Sequence, residues 1–135
     1  MKAVDTNVVV RLLTNDDPEQ TAAAKAFFEN GPIWIGQTVL LETSWVLRSL
    51  YGFEGKNICL ALRGLLGLSN VRTENERAVA AAIALGLQGV DFADALHLCG
   101  RPPGTEFVTF DQAFVRRAKR AGEAAISLLS STPNR

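Results

Sequence analysis

The stretch KAVDTNVVVRLL, residues 2–13, contains the first two elements that decide the fold. Its beginning predicts a short strand that ends on an acid, Asp5, and the apolar residues from Val8 onward recur at helical spacing. The same order returns along the chain, where short apolar runs such as Ile33–Ile35 alternate with longer helical patterns. Short strands that alternate with helices indicate an α/β sandwich with a short, mainly parallel sheet.

Sequence signals at the ends of these patterns place the element boundaries. Asp17 before Pro18 is a helix start, with an N-cap acid and proline at the first helical position. Glycines and prolines end most helices. The predicted helices cover residues 6–14, 17–30, 37–51, 55–66, 74–85, 91–99 and 111–121. The predicted strands cover residues 2–5, 33–35, 70–73, 106–109 and 125–128.

Length and composition exclude several classes of protein. A chain of 135 residues predicts a single domain, residues 1–135. The two cysteines are too few for a disulfide framework or a zinc knuckle, and no apolar run is long enough to span a membrane. The start, MKAVDTN, lacks the apolar region of a signal peptide, so we expect a soluble cytoplasmic protein. With 14 basic and 14 acidic residues, bulk positive charge would not hold nucleic acid.

Two acids follow predicted strands of the sheet. Asp5 ends the first strand, and Asp111 comes two residues after Thr109, which ends another. Ligands of open parallel sheets bind beyond the carboxyl ends of the strands, so both acids are candidate site residues. Taken singly, each acid is better explained as the N-cap of the helix that follows it.

Two further acids lie within predicted helices. Glu42 falls on the apolar stripe that we expect to face the core, where an ionised carboxylate is costly unless it is paired or bound to metal. Asp91 and Asp94 begin a later helix, Asp91 as the better N-cap and Asp94 as the better ligand, since apolar residues flank Asp94.

Four carboxylates in one pocket require protons or a cation. At about 5 Å and an effective dielectric near 20, each pair repels by roughly 3 kcal/mol. All-oxygen ligands without cysteine or clustered histidine favour Mg²⁺, or Mn²⁺ as a substitute. Such an ion activates water and shields the charge of a phosphodiester, which is nuclease chemistry.

Four motifs of the chain resemble the PIN-domain ribonucleases, and among them the VapC toxins of bacterial toxin–antitoxin pairs. The resemblance covers nearly the whole chain, in the family's order and spacing. The motifs are AVDTNVVVRL at residues 3–12, LET around Glu42, DFADAL at residues 91–96 and TFDQAF at residues 109–114.

The resemblance implies a three-layer α/β/α fold and a Mg²⁺-dependent endoribonuclease that hydrolyses structured RNA such as tRNA with metal-activated water. It also implies homodimers and inhibition by a VapB-like antitoxin. Transferred by position, the catalytic and metal-binding acids are Asp5, Glu42, Asp94 and Asp111. Supporting residues would be Thr6, Asn7, Thr109 and Asp91, and RNA contacts would come from Arg11, Arg116 and Arg117.

Other interpretations stay open at this point. A PIN fold that binds proteins with little or no catalysis, or a PIN nuclease of RNA processing outside a toxin–antitoxin pair, fits the same motifs. His97 departs from the family pattern, and we expect it to be a core or surface histidine. Trp34 and Trp45 are expected in the core or in an interface rather than as platforms for bases.

Overall fold

Short parallel strands and longer helices alternate along the chain. The computed structural model describes residues 1–131, so the last four residues of the predicted domain, 132–135, lie outside it. The described helices are α1 Thr6–Leu13, α2 Pro18–Phe28, α3 Gln37–Ser49, α4 Gly55–Leu66, α5 Glu76–Leu87, α6 Phe92–Cys99 and α7 Gln112–Arg120. The described strands are β1 Lys2–Ala3, β2 Ile33–Ile35, β3 Val71–Thr73, β4 Phe107–Thr109 and β5 Ile126–Leu128.

All strand pairs of the described residues are parallel, which confirms the predicted fold class. One sheet has the order β1-β2-β3, and β4 and β5 form a separate pair in which Thr109 lies opposite Leu128. The fold is a PIN-like α/β/α sandwich with a short parallel sheet. The strand β1 ends at Ala3, so Asp5 follows the strand by two residues instead of ending it.

The core lies between the strands and the packed helices. Helix α5 packs against α4 and α6, and α3 packs against α1, α4 and α6. The side chains that fill this space are fully buried aliphatic residues, among them Ile33, Ile35, Leu40, Leu47 and Leu62. Helices α4 and α5 approach each other where Gly86 meets Cys59, and a Cβ at Gly86 would lie 2.3 Å from the Cys59 sulfur.

The structure tests the predictions for the two tryptophans, and the prediction that they lie in the core is wrong. Trp45 is 62% exposed and Trp34 also lies at the surface, so neither belongs to the core; their place in an interface stays a prediction. Cys59 and Cys99 are free thiols. Within residues 1–131, no helix is both long and apolar enough to cross a membrane.

Candidate active site

Asp5 lies where the chain leaves β1 and enters α1. Its Oδ1 accepts a hydrogen bond from the Val8 backbone N–H at 3.3 Å, so the carboxylate caps the first turn of the helix. The side chain is exposed and lines a groove of about 740 Å³ between α1 and α2, together with Asn7 and Arg11. Asp5 can therefore be both a helix cap and a ligand-binding residue, because one oxygen caps α1 while the groove leaves the residue open to a ligand.

Glu42 lies on an exposed side of α3, so the expectation that it faces the core is wrong. The buried positions of α3 are Leu40, Thr43, Ser44 and Leu47, and they occupy a different side of the helix. The carboxylate instead accepts a hydrogen bond from the hydroxyl of the buried Thr6. Since Thr6 directly follows Asp5, this contact brings Glu42 to the start of α1.

Asp94 lies half-buried in the first turn of α6, next to the capping residue Asp91. The Asp91 carboxylate accepts from the Asp94 N–H at 3.2 Å and forms an ion pair of 2.8 Å with Arg48 of α3. Burial raises the pKa of the Asp94 carboxyl, and the charges of Asp91 and Asp111 raise it further, against a smaller opposing effect of His97 and Arg48. Asp94 is thus held beside other acids, and within residues 1–131 it has no ion-pair partner of its own.

Asp111 lies in the turn between β4 and α7. Its Oδ1 accepts from the Phe114 N–H at 3.0 Å and caps α7, while its own N–H donates to the Thr109 hydroxyl at 3.1 Å. The residue is exposed and lines a second groove, of about 620 Å³, together with Arg116. The charge of Asp111 also contributes to the raised pKa of Asp94, so the two carboxyl groups lie within range of each other's charge.

The four predicted acids thus lie in two groups that α3 connects. Asp5 and Glu42 meet through Thr6, while Asp94 and Asp111 interact through their charges. Among the described residues, no three histidine, cysteine, aspartate or glutamate side chains are close enough to form a metal cluster. The donor chemistry nevertheless suits a divalent ion, because all four candidate donors are carboxylates, the ligand type that Mg²⁺ and Mn²⁺ prefer.

Two contacts at the site could not be predicted from the sequence. The Thr6 hydroxyl that orients Glu42 and the Arg48 guanidinium that neutralises Asp91 come from residues 36 and 43 positions away along the chain. A hydroxyl directly after the first acid was the only local signal for Thr6, and no local signal pointed to Arg48. Both contacts depend on how α3 packs between α1 and α6.

The predicted RNA contacts occupy different environments. The Arg11 guanidinium donates hydrogen bonds to Asp16 at 3.0 Å, Gln20 at 2.7 Å and Tyr51 at 2.9 Å, so its Nε and Nη1 donors are used within the protein. Arg116 and Arg117 are exposed on α7. His97 is also exposed, on the last turn of α6, which agrees with the surface location expected for it.

A comparison with known protein families matches this arrangement to one of them. The family model described as PIN domain covers residues 2–120, from the start of β1 to the end of α7. All four acids fall within the matched segment. No curated protein matches the chain.

Proposed function

The chain belongs to the PIN-domain family, and from this we propose that it is a magnesium-dependent endoribonuclease that acts as the toxin of a type II toxin–antitoxin system. PIN domains are generally nucleases and typically use divalent metals. The observation that carries the proposal is the environment of Asp94, a half-buried carboxyl whose pKa is raised by burial and by two neighbouring acids. A bound cation would favour the ionised form of this carboxyl against both effects.

In this proposal Asp5, Glu42, Asp94 and Asp111 would hold the ion. A bound Mg²⁺ lowers the pKa of a water molecule and neutralises the charge that develops on the phosphodiester. The residues of the chain orient the donors: the Thr6 hydroxyl fixes one oxygen of Glu42, and helix caps fix one oxygen each of Asp5 and Asp111.

The substrate of the proposed reaction is RNA, with structured RNA such as tRNA as the first candidate. Two grooves, one lined by Asp5 and the other by Asp111, give a nucleic-acid strand access to these two acids. The net charge of the chain is zero, but without the four acids 14 basic residues oppose 10 acidic ones. A metal-loaded site would therefore lie in a mildly basic surface, which suits an RNA substrate.

The reaction is tested by incubating the purified protein with total tRNA in Mg²⁺, Mn²⁺ or EDTA and mapping the products by end-sequencing. We expect cleavage with either metal and none in EDTA. Asp94→Asn and Asp5→Asn should abolish cleavage while the fold survives, because asparagine keeps the size of the side chain and caps helices about as well as aspartate.

Asp17→Asn is the matched control for these variants. Asp17 caps α2 through a hydrogen bond from the Gln20 N–H, so this substitution makes the same chemical change at a helix start outside the four acids. The control should cleave like the wild type. Cleavage that persists in EDTA would overturn the metal mechanism, and the lack of any metal-dependent product from cellular RNA would favour a protein-binding PIN domain.

The toxin assignment and the partners are further parts of the proposal. They rest on the resemblance of the four motifs to VapC toxins, which implies a VapB-like antitoxin and a homodimer. The exposed Trp45 supports an interface, because aromatic residues are enriched there. We expect a small VapB-like reading frame directly upstream, growth arrest on expression and a dimer mass by light scattering. A PIN nuclease of RNA processing would show neither the upstream reading frame nor the growth arrest.

A further inference from the structure

An exposed aromatic ring lies directly beside Asp111. Phe110 follows β4 and is 64% exposed, although it is one of the largest apolar residues of the chain. The Leu129 N–H donates to the Thr109 carbonyl at 2.7 Å, which brings Leu129, 48% exposed, alongside the ring. Exposed apolar residues that adjoin one another at a site mark a binding surface more often than isolated ones do.

Phe110 also forms part of the groove at Asp111. The groove is lined on its apolar side by Phe110, Leu128 and Leu129, and on its polar side by Asp111 and Arg116. The backbone here is well fixed, because the Asp111 cap and the pairing of β4 with β5 hold the turn that carries the ring. An aromatic face, a cation and a proposed metal ligand therefore border one cavity.

The helix beside this groove is strongly basic. No acid lies within α7, and its four basic residues are exposed: Arg116, Arg117, Lys119 and Arg120. None of the ion pairs found within residues 1–131 involves them. Of these four, Arg116 lines the groove beside Phe110, and a cation next to an aromatic ring is complementary to a phosphate and its base.

We propose that Phe110 is a stacking platform for an unpaired base of the RNA substrate, with Arg116 binding the adjoining phosphate. The inference rests on the proposed ribonuclease function and narrows its substrate class. A base inside a duplex has no free face to stack on the ring, so the platform selects single-stranded segments or loops. The charge of α7 favours RNA over an apolar protein segment as the occupant of the groove.

The test measures binding without cleavage. A fluorescein-labelled single-stranded oligoribonucleotide of about twelve nucleotides, and the same strand annealed to its complement, are titrated with the full chain in EDTA and followed by anisotropy. Phe110→Ala and Phe110→Leu should each weaken binding of the single strand by about 10- to 100-fold, because both remove the π face. Phe110→Trp should bind as the wild type does, and duplex binding should be the same for all variants.

Val108→Ala is the matched control, since Val108 is exposed on the same strand without lining the groove. It should bind RNA like the wild type. In cleavage of an unstructured RNA with Mg²⁺, Phe110→Ala should raise KM by the factor seen in binding and leave kcat within a factor of about three. Circular dichroism should show an intact fold for every variant, because the substituted side chains are largely exposed.

The outcomes separate this inference from the function on which it rests. If Phe110→Leu binds the single strand as tightly as the wild type, or if Phe110→Ala weakens single-stranded and duplex RNA equally, no base stacks on the ring and the apolar face serves a protein partner instead. If the wild type cleaves no RNA with either metal, the ribonuclease proposal fails, whereas normal cleavage with an unaffected Phe110→Ala refutes the platform alone.

Discussion

The contact between α4 and α5 gives a sharp prediction about stability. Gly86 lies inside α5, and a Cβ added there would be 2.3 Å from the sulfur of Cys59, which is 1% exposed. Nonbonded heavy atoms approach to about 3.5–4 Å, so Gly86→Ala must push the two helices or the sulfur apart by more than roughly 1 Å. Overpacking of this kind costs about 1–3 kcal/mol.

Part of this cost is offset within the helix. Replacing glycine by alanine in a helix interior gains about 0.5–1 kcal/mol because the unfolded chain loses conformational freedom. We therefore expect Gly86→Ala to lower the free energy of unfolding by about 1–2 kcal/mol, which corresponds to roughly 3–10 °C in Tm. Urea denaturation followed by circular dichroism measures the change.

Two further variants isolate the cause. Gly64→Ala makes the same substitution inside α4, where a Cβ meets nothing within 4 Å, so it should stabilise the protein by about 0.5–1 kcal/mol. The double variant Cys59→Ala/Gly86→Ala should be more stable than the sum of the single effects predicts, with a coupling energy of about 1–2 kcal/mol. If Gly86→Ala is as stable as Gly64→Ala, or if the double variant shows no coupling, the close approach does not limit this packing.

Three other outcomes follow from contacts of the structure. Thr6→Val removes the hydroxyl that orients Glu42 and should slow RNA cleavage by about tenfold, whereas Thr6→Ser should retain the rate. The hydrogen bond from Tyr51 lowers the pKa of Asp16 in the folded protein. This contact therefore stabilises the fold above the unfolded pKa of the carboxyl, and the stabilisation is lost as the pH falls through the lower folded pKa. Tyr51→Phe should reduce this acid-induced loss of stability in Tm measurements between about pH 6 and about pH 2.5. Burial raises the pKa of the Cys59 thiol, so it should resist Ellman's reagent at about pH 8 in the native protein and react in urea.

Each of these outcomes has a result that contradicts it. Equal cleavage rates for Thr6→Val and Thr6→Ser would show that the hydroxyl does not orient Glu42 for the reaction. An unchanged pH dependence of Tm in Tyr51→Phe would show that this hydrogen bond does not lower the pKa of Asp16 in the folded protein. Rapid labelling of Cys59 in the native protein would show that α4 and α5 open readily.

Much of the fold could be predicted because its signals are local. The bounds of β2 and α4 agree with the sequence prediction, since Pro32 and Gly36 flank β2 and glycines lie at both ends of α4. Helix α5 begins two residues later than expected, because Asn75 takes a left-handed conformation and caps the helix through the Ala78 N–H. The division of the strands into two parallel groups could not be predicted from local periodicity, because it depends on how the helices pack.

The site was harder to predict than the fold. Glu42 was expected to face the core because apolar residues surround α3 on several sides. The buried side of α3 instead includes Thr43 and Ser44, and Trp45 is exposed. From hydropathy alone, the side of a helix that packs against the core cannot be distinguished from a side that packs loosely on a neighbouring helix. The role of the four acids as a set stays a prediction, while the caps of Asp5 and Asp111 are observed.

These two caps have a consequence for the choice of metal. In both Asp5 and Asp111, Oδ1 accepts a backbone N–H, so only Oδ2 is free of the helix. Ca²⁺ often takes both oxygens of a carboxylate, so at the proposed site it would compete with the Val8 and Phe114 N–H groups for Oδ1, whereas Mg²⁺ would need only Oδ2. At the proposed metal site these caps would disfavour the larger ion, and we expect added Ca²⁺ to compete poorly with Mg²⁺ in the cleavage assay.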